Sequence, residues 1–193
     1  MDDLNSEQTL PPARAIRFDR VADLFGRVPQ IEEFMHERPQ GDEGYRGFLD
    51  RLRSSQTPED AITFTAFAIE PKVAIQWGLD CVLAIQGDLT PEETMLVNWI
   101  AEWLEEPTTD ARWKTLQMAM FAQRRTAVVH LGMAVGWSGG PLAPNDLVTV
   151  PPWRAPRAIS AAVLRAVGQV QTEHRQATLD HVLDRAAGLF RIH

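Results

Sequence analysis

The pattern of apolar residues makes this an all-α chain: an antiparallel helical bundle of about seven helices with one long Gly/Pro/Trp-rich loop packed across it. Three observations carry that expectation. Apolar residues recur at helical spacing over most of the length, as in Tyr45, Phe48, Leu49 and Leu52. Helix-start signatures, Thr-Pro-Glu followed by a further acid, open at Thr57 and again at Thr90. Proline or glycine then interrupts the pattern where each helix has to end, and the connections are short enough for antiparallel neighbours.

In order, residues 1–13 read as a disordered tail ending in Pro11-Pro12, and 14–193 as a single helical domain. Ala15 to Phe18 alternates for too few residues to define a strand. Val21 to Phe25 and Ile31 to His36 are short helical pieces divided by Gly26 and Pro29, and a turn-rich loop from Pro39 to Gly44 precedes the helix of Tyr45. Thr57 is expected to cap a helix that stops before Pro71. Pro71 begins a second one, apolar on several sides and therefore central. Thr90 caps the next, which Pro107 closes, and Thr109 or Asp110 caps one long helix from Ala111 to about Val135. In its last turns Gly132 and Gly136 either weaken the helix or let another backbone approach. After the irregular stretch from Ser138 to Pro156 the chain is helical again from Arg157, and the pattern does not decide whether Gly168 to Thr172 divides that part.

Net charge is −7 over 193 residues, unevenly distributed. Residues 1–106 hold 9 basic and 21 acidic side chains, residues 107–193 hold 10 and 5. Either the halves neutralise each other or the second half presents a basic protein-binding face. No Lys/Arg cluster is interleaved with aromatics, so nucleic acid is not an expected partner. No apolar run reaches the roughly 18 residues of a membrane span, so membrane insertion is not expected either. The first eight residues show no secretory signal, and Cys81 is the sole cysteine, which together suggest a cytoplasmic protein.

The search for chemistry yields little. His36, His130, His174, His181 and His193 make no metal-binding spacing, and no metal or other cofactor is expected. Cys81 lies within an apolar helix, the setting of a structural thiol. The run Gly136-Trp137-Ser138-Gly139-Gly140 lacks a phosphate-binding lysine, and Pro141 removes a backbone donor. No catalytic residue is assigned. Arg124 and Arg125 fall inside an apolar helix, where pairing with the acidic half is expected.

Most of residues 20–170 resembles an uncharacterised bacterial all-helical family, a domain of unknown function. The residues that carry the resemblance are Ala74 to Trp77 with Cys81, Trp103 to Pro107 with Arg112, and the loop Ser138 to Pro144. Val150 to Pro152 matches the family's Val-x-Pro-Pro arm, and Arg157 to Ala166 its alanine-rich helix. The resemblance implies no activity.

The expected function is therefore protein interaction: an accessory, adaptor or scaffold protein with another protein as partner, a homo-oligomer remaining open. The candidate binding residues are Trp137, Leu142, Pro144, Pro151, Pro152, Trp153, Arg154 and Arg157, since tryptophan and arginine dominate binding hot spots. The competing expectation is that Trp137 and Trp153 pin the loop onto Trp99, Trp103 or Trp113. The alternative function is an enzyme or small-ligand binder in which Arg112 or Arg124 converges with His130 and a carboxylate such as Glu70 or Asp80.

Overall fold

The computed structural model describes residues 15–141, 143 and 145–190. Among them nine α-helices and one 3-10 helix follow in order: α1 Val21–Arg27, the 3-10 helix Pro29–Glu33, α2 Tyr45–Arg53, α3 Asp60–Ala68 and α4 Pro71–Ile85. Then come α5 Pro91–Glu105, α6 Thr109–Phe121, α7 Ala127–Gly136, α8 Arg154–Gln169 and α9 Thr172–Leu189. Ile16 pairs with Ile69 and Pro141 with Thr149 in single antiparallel bridges, and the fold is all-α. The expected tail, residues 1–13, lies outside the described residues.

Helices α7 and α8 form the centre. Every residue of α7 is buried except His130, and α7 packs against α4, α5, α6 and α8. Its glycines allow that crowding. A Cβ on Gly136 would stand 2.4 Å from Leu116 Cβ, and one on Gly132 2.9 Å from Ala119 Cβ, closer than side-chain carbons approach. Helix α3 is buried at all nine positions, which explains its lack of an amphipathic stripe. One apolar cluster containing residues of all nine α-helices joins these elements, with Phe48, Phe64 and Phe67 fully enclosed.

Local sequence accounts for most of the boundaries. Thr90 and Glu93 form the expected capping box: Thr90 Oγ1 accepts from Glu93 N at 3.2 Å, and a Glu93 carboxylate oxygen accepts from Thr90 N at 3.0 Å. Burial pushes the Glu93 carboxyl up, but hydrogen bonds from Thr90, Thr126 and Gln86 outweigh it and hold the group below its ordinary value.

Four expectations need correction. The helix expected from Ala111 to Val135 is two, α6 and α7, because the backbone turns extended at Ala122. Arg125 donates to the carbonyls of Ala119 (2.8 Å) and Met120 (3.2 Å), and Thr126 caps α7 by accepting from Val129 N. No glycine or proline marks the break. Arg124 and Arg125 are thus loop residues, and Arg125 binds carbonyls rather than the acidic half. The cap of α6 is Thr108, one residue before the expected pair. Thr57 does not cap α3: the helix starts at Asp60, whose buried carboxylate accepts from His36 N (2.6 Å) and Glu37 N (3.1 Å) and so ties down the exit of the 3-10 helix. Where the pattern left the division between Gly168 and Thr172 open, Val170 is extended and the C-terminal part is two helices, α8 and α9.

Candidate functional site

The chain between α7 and α8 doubles back, with Val150 N donating to Gly140 O at 2.9 Å beside the Pro141–Thr149 bridge. Gly140 has φ +73°, which only glycine adopts without strain, and a Cβ there would stand 3.2 Å from Arg112 Nη2. Arg112 anchors the base of this hairpin. Its Nη1 donates to the carbonyls of Gly136 (3.1 Å), Gly139 and Pro141 (3.4 Å), and its Cζ lies 4.4 Å from the Trp113 ring centroid. Burial lowers its pKa below the ordinary arginine value. At the tip, Leu147 is fully exposed.

This hairpin brings the end of α7 beside the start of α8. Trp137 is the C-terminal cap of α7, Pro151 turns the chain by accepting from Arg154 N at 3.1 Å, and Trp153 immediately precedes α8. Both tryptophans are half-buried against the core. Trp153 packs on Phe34, with centroids 6.5 Å apart, rather than on Trp99, Trp103 or Trp113. Arg154 lies over both tryptophans, its Cζ 5.6 Å from the Trp137 centroid and 5.9 Å from that of Trp153. Arg157, one turn on and exposed, lies over Phe34 at 4.8 Å and Trp153 at 5.9 Å.

Between these side chains opens a cavity of about 440 Å³, lined besides them by His130, Met133, Ala158 and Ala161. Arg157 and Ala161 also line a neighbouring cavity of about 210 Å³, whose other walls are Phe34, Thr63, Phe67, Ser160 and Leu164. The charge of this cleft is one-sided. Among the described residues neither Arg154 nor Arg157 has a carboxylate within ion-pair distance. The first turn of α8 has no acidic residue, although a helix N-terminus favours anions. His130 is held below its ordinary pKa, first by burial and then by Arg165 and Arg125. Two fixed cations on a helix N-terminus therefore face a partly apolar hollow.

Of the residues singled out in the sequence, Trp137, Trp153, Arg154, Arg157 and His130 meet here. Pro151 and Pro152 form the turn before α8, and Leu142 and Pro144 lie outside the described residues. Arg112 lines a different cavity, with Trp103, Thr108 and the Ser138 to Pro141 segment. Arg124 lines none of the cavities described here. Asp80 faces Arg185 (3.8 Å) and Gln76 (2.8 Å). Sequence reasoning missed Phe34, Phe67, Thr63 and Ser160. They come from distant segments, and only the helical period of Ile31 to His36 hinted at Phe34.

No helix among the described residues is long and apolar enough to cross a membrane. No curated protein and no solved structure matches the chain. Residues 48–190, which include every wall of the cleft except Phe34, match the model of the family of unknown function DUF6931, and the chain belongs to that family.

Proposed function

We propose that this chain is a non-enzymatic, cytoplasmic protein-interaction module, and that it receives an acidic segment of another protein in the cleft between the end of α7 and the start of α8. The observation that carries this reading is the placement of Arg154 and Arg157. Both are stacked on aromatic rings in the first turn of a helix and have no carboxylate partner among the described residues. Cations in that position work against the helix dipole, and an arriving carboxylate relieves this cost with charge-assisted hydrogen bonds. Aromatic and arginine side chains around a desolvated hollow are also the usual composition of an interface hot spot.

Among the described residues, the walls of the larger cavity carry guanidinium, imidazole and apolar groups, without a carboxylate, thiol or hydroxyl to pair with His130 as base and nucleophile. That favours binding over catalysis. Two arginines also make too short a track for a nucleic-acid backbone. A second reading, a small anionic ring bound between the tryptophans, is supported by the cavity volume of about 440 Å³, within the range of small-molecule sites.

The test is affinity purification with the native chain and with the double variant Arg154→Glu, Arg157→Glu as baits, after matching their thermal stabilities. The reading expects a protein retained by the native chain and lost from the variant, with binding that weakens as salt rises. Identical protein sets on both baits would sink it. A bound small anion released from the native chain on denaturation, with no protein difference, would establish the second reading instead.

A further inference from the structure

The cleft has two compartments, and only the larger one is accounted for by an acidic group. The smaller lies beyond Arg157 and is walled by Phe34, Phe67 and Leu164. A cavity of about 150 Å³ lined by apolar side chains accommodates a benzene ring, so 210 Å³ suffices for one leucine, methionine or phenylalanine side chain. Its floor is polar at one point. Thr63 Oγ1 and Ser160 Oγ, both buried, share a 2.8 Å hydrogen bond. That bond uses one of the two hydroxyl hydrogens and leaves the other for an acceptor.

The two compartments adjoin, since Arg157 and Ala161 are walls of both, and each has one aromatic wall packed on that of the other. Trp153 borders the first and Phe34 the second, 6.5 Å apart, with the Arg157 guanidinium spanning both rings. In an extended chain, side chains two residues apart lie on the same face about 6.6 Å apart, at roughly 3.3 Å rise per residue. We propose that the occupant of this cleft is an extended segment of a partner protein carrying an acidic residue followed two positions later by a bulky apolar one. The carboxylate sits against Arg154 and Arg157, and the apolar side chain fills the pocket under Phe34, Phe67 and Leu164. This rests on the reading that the cleft takes an acidic segment, and it adds which segment is selected.

The chain itself contains one such triad in its first residues, Asp2-Asp3-Leu4. An intramolecular occupant therefore has to be distinguished from a partner.

The experiment measures binding of the full-length protein to synthetic twelve-residue peptides by calorimetry. A reference peptide carries Glu with Leu two positions later on a Ser/Gly background. Its variants replace Glu by Gln, replace Leu by Ala, or move Leu to the adjacent position. Burying a leucine side chain predicts a roughly tenfold or greater loss when Leu becomes Ala or is moved. Loss of binding is also expected with Gln, and with the protein variant Arg154→Glu, Arg157→Glu. The Leu164 methyl signals should shift with the reference peptide and not with its alanine variant. If Gln abolishes binding while the leucine substitutions leave it unchanged, the acidic-segment reading stands and this inference falls. If no acidic peptide binds, both fall. A gain of affinity in the full-length variant Asp2→Asn, Leu4→Ala identifies the chain's own first residues as the occupant and overturns the assignment to a partner.

Discussion

Arg112 Nη1 donates to the carbonyl oxygen of Gly136 at 3.1 Å and so joins the first turn of α6 to the last residue of α7. The same guanidinium holds Gly139 and Pro141, so one buried side chain fixes where the hairpin leaves the body. Hydrogen bonds to charged groups contribute about 1.5–3 kcal/mol each when a partner is removed. Arg112→Gln is expected to lower unfolding free energy by about 2–3 kcal/mol in urea titration and to speed amide exchange at Val150. An unchanged midpoint and unchanged exchange would contradict the anchoring role.

Gly136 of α7 packs directly against the Leu116 side chain of α6, 2.4 Å from where a Cβ would stand. A methyl group at Gly136 cannot be accommodated without moving one helix. Gly136→Ala should therefore destabilise by about 1–3 kcal/mol, the usual cost of overpacking, despite the better helix propensity of alanine. Gly168, in contrast, has nothing within 4 Å of an added Cβ, and Gly168→Ala is expected to be neutral or mildly stabilising. Thermal denaturation of the two variants, compared side by side, decides whether contact or propensity governs.

His130 resists protonation in the folded state because it is half-buried and faces the charges of Arg165 and Arg125, while in the unfolded chain it titrates near 6.5. As pH falls through the unfolded value towards the lowered folded one, the unfolded state binds more protons, and stability is lost over that interval. The difference in stability between the native chain and His130→Asn should shrink as pH drops from about 7.5 towards 5. A difference independent of pH would mean that His130 titrates normally. Binding of an acidic peptide is expected to raise the His130 pKa in an NMR titration.

Cys81 is enclosed between α4 and its neighbours, and burial is the main cause that pushes its thiol up to about 12. The thiolate is the reactive form. Iodoacetamide should therefore label the native protein at pH 8 far more slowly than the urea-unfolded chain, at a rate set by opening of the fold. Rapid native labelling would show the thiol to be accessible.

Much of the architecture was legible because helices are written locally. The Thr90 capping box, the stops before Pro71 and after Glu105, and the apolar faces of α2 and α5 follow from neighbours within four residues. The break after Phe121 was not legible, because its causes are a guanidinium folded back onto carbonyls and a threonine cap, within a stretch that carries no glycine or proline to mark a stop. Of the cleft, Trp137, Trp153, Arg154 and Arg157 were evident from composition. Their partners Phe34, Phe67 and Ser160 were not, since an aromatic in one short helix does not declare which distant helix it will meet.

By itself, then, the sequence determined the helical class, most helix starts and the irregular Gly/Pro/Trp segment, because backbone preferences, caps and periodicity act over a few residues. Only the tertiary structure decided that this segment closes on itself and that Arg112 is spent on its base. Only the tertiary structure left Arg154 and Arg157 over aromatic rings without a carboxylate partner among the described residues. Those outcomes depend on contacts between residues up to 123 positions apart, as with Phe34 and Arg157, and local propensity carries no information about such pairings.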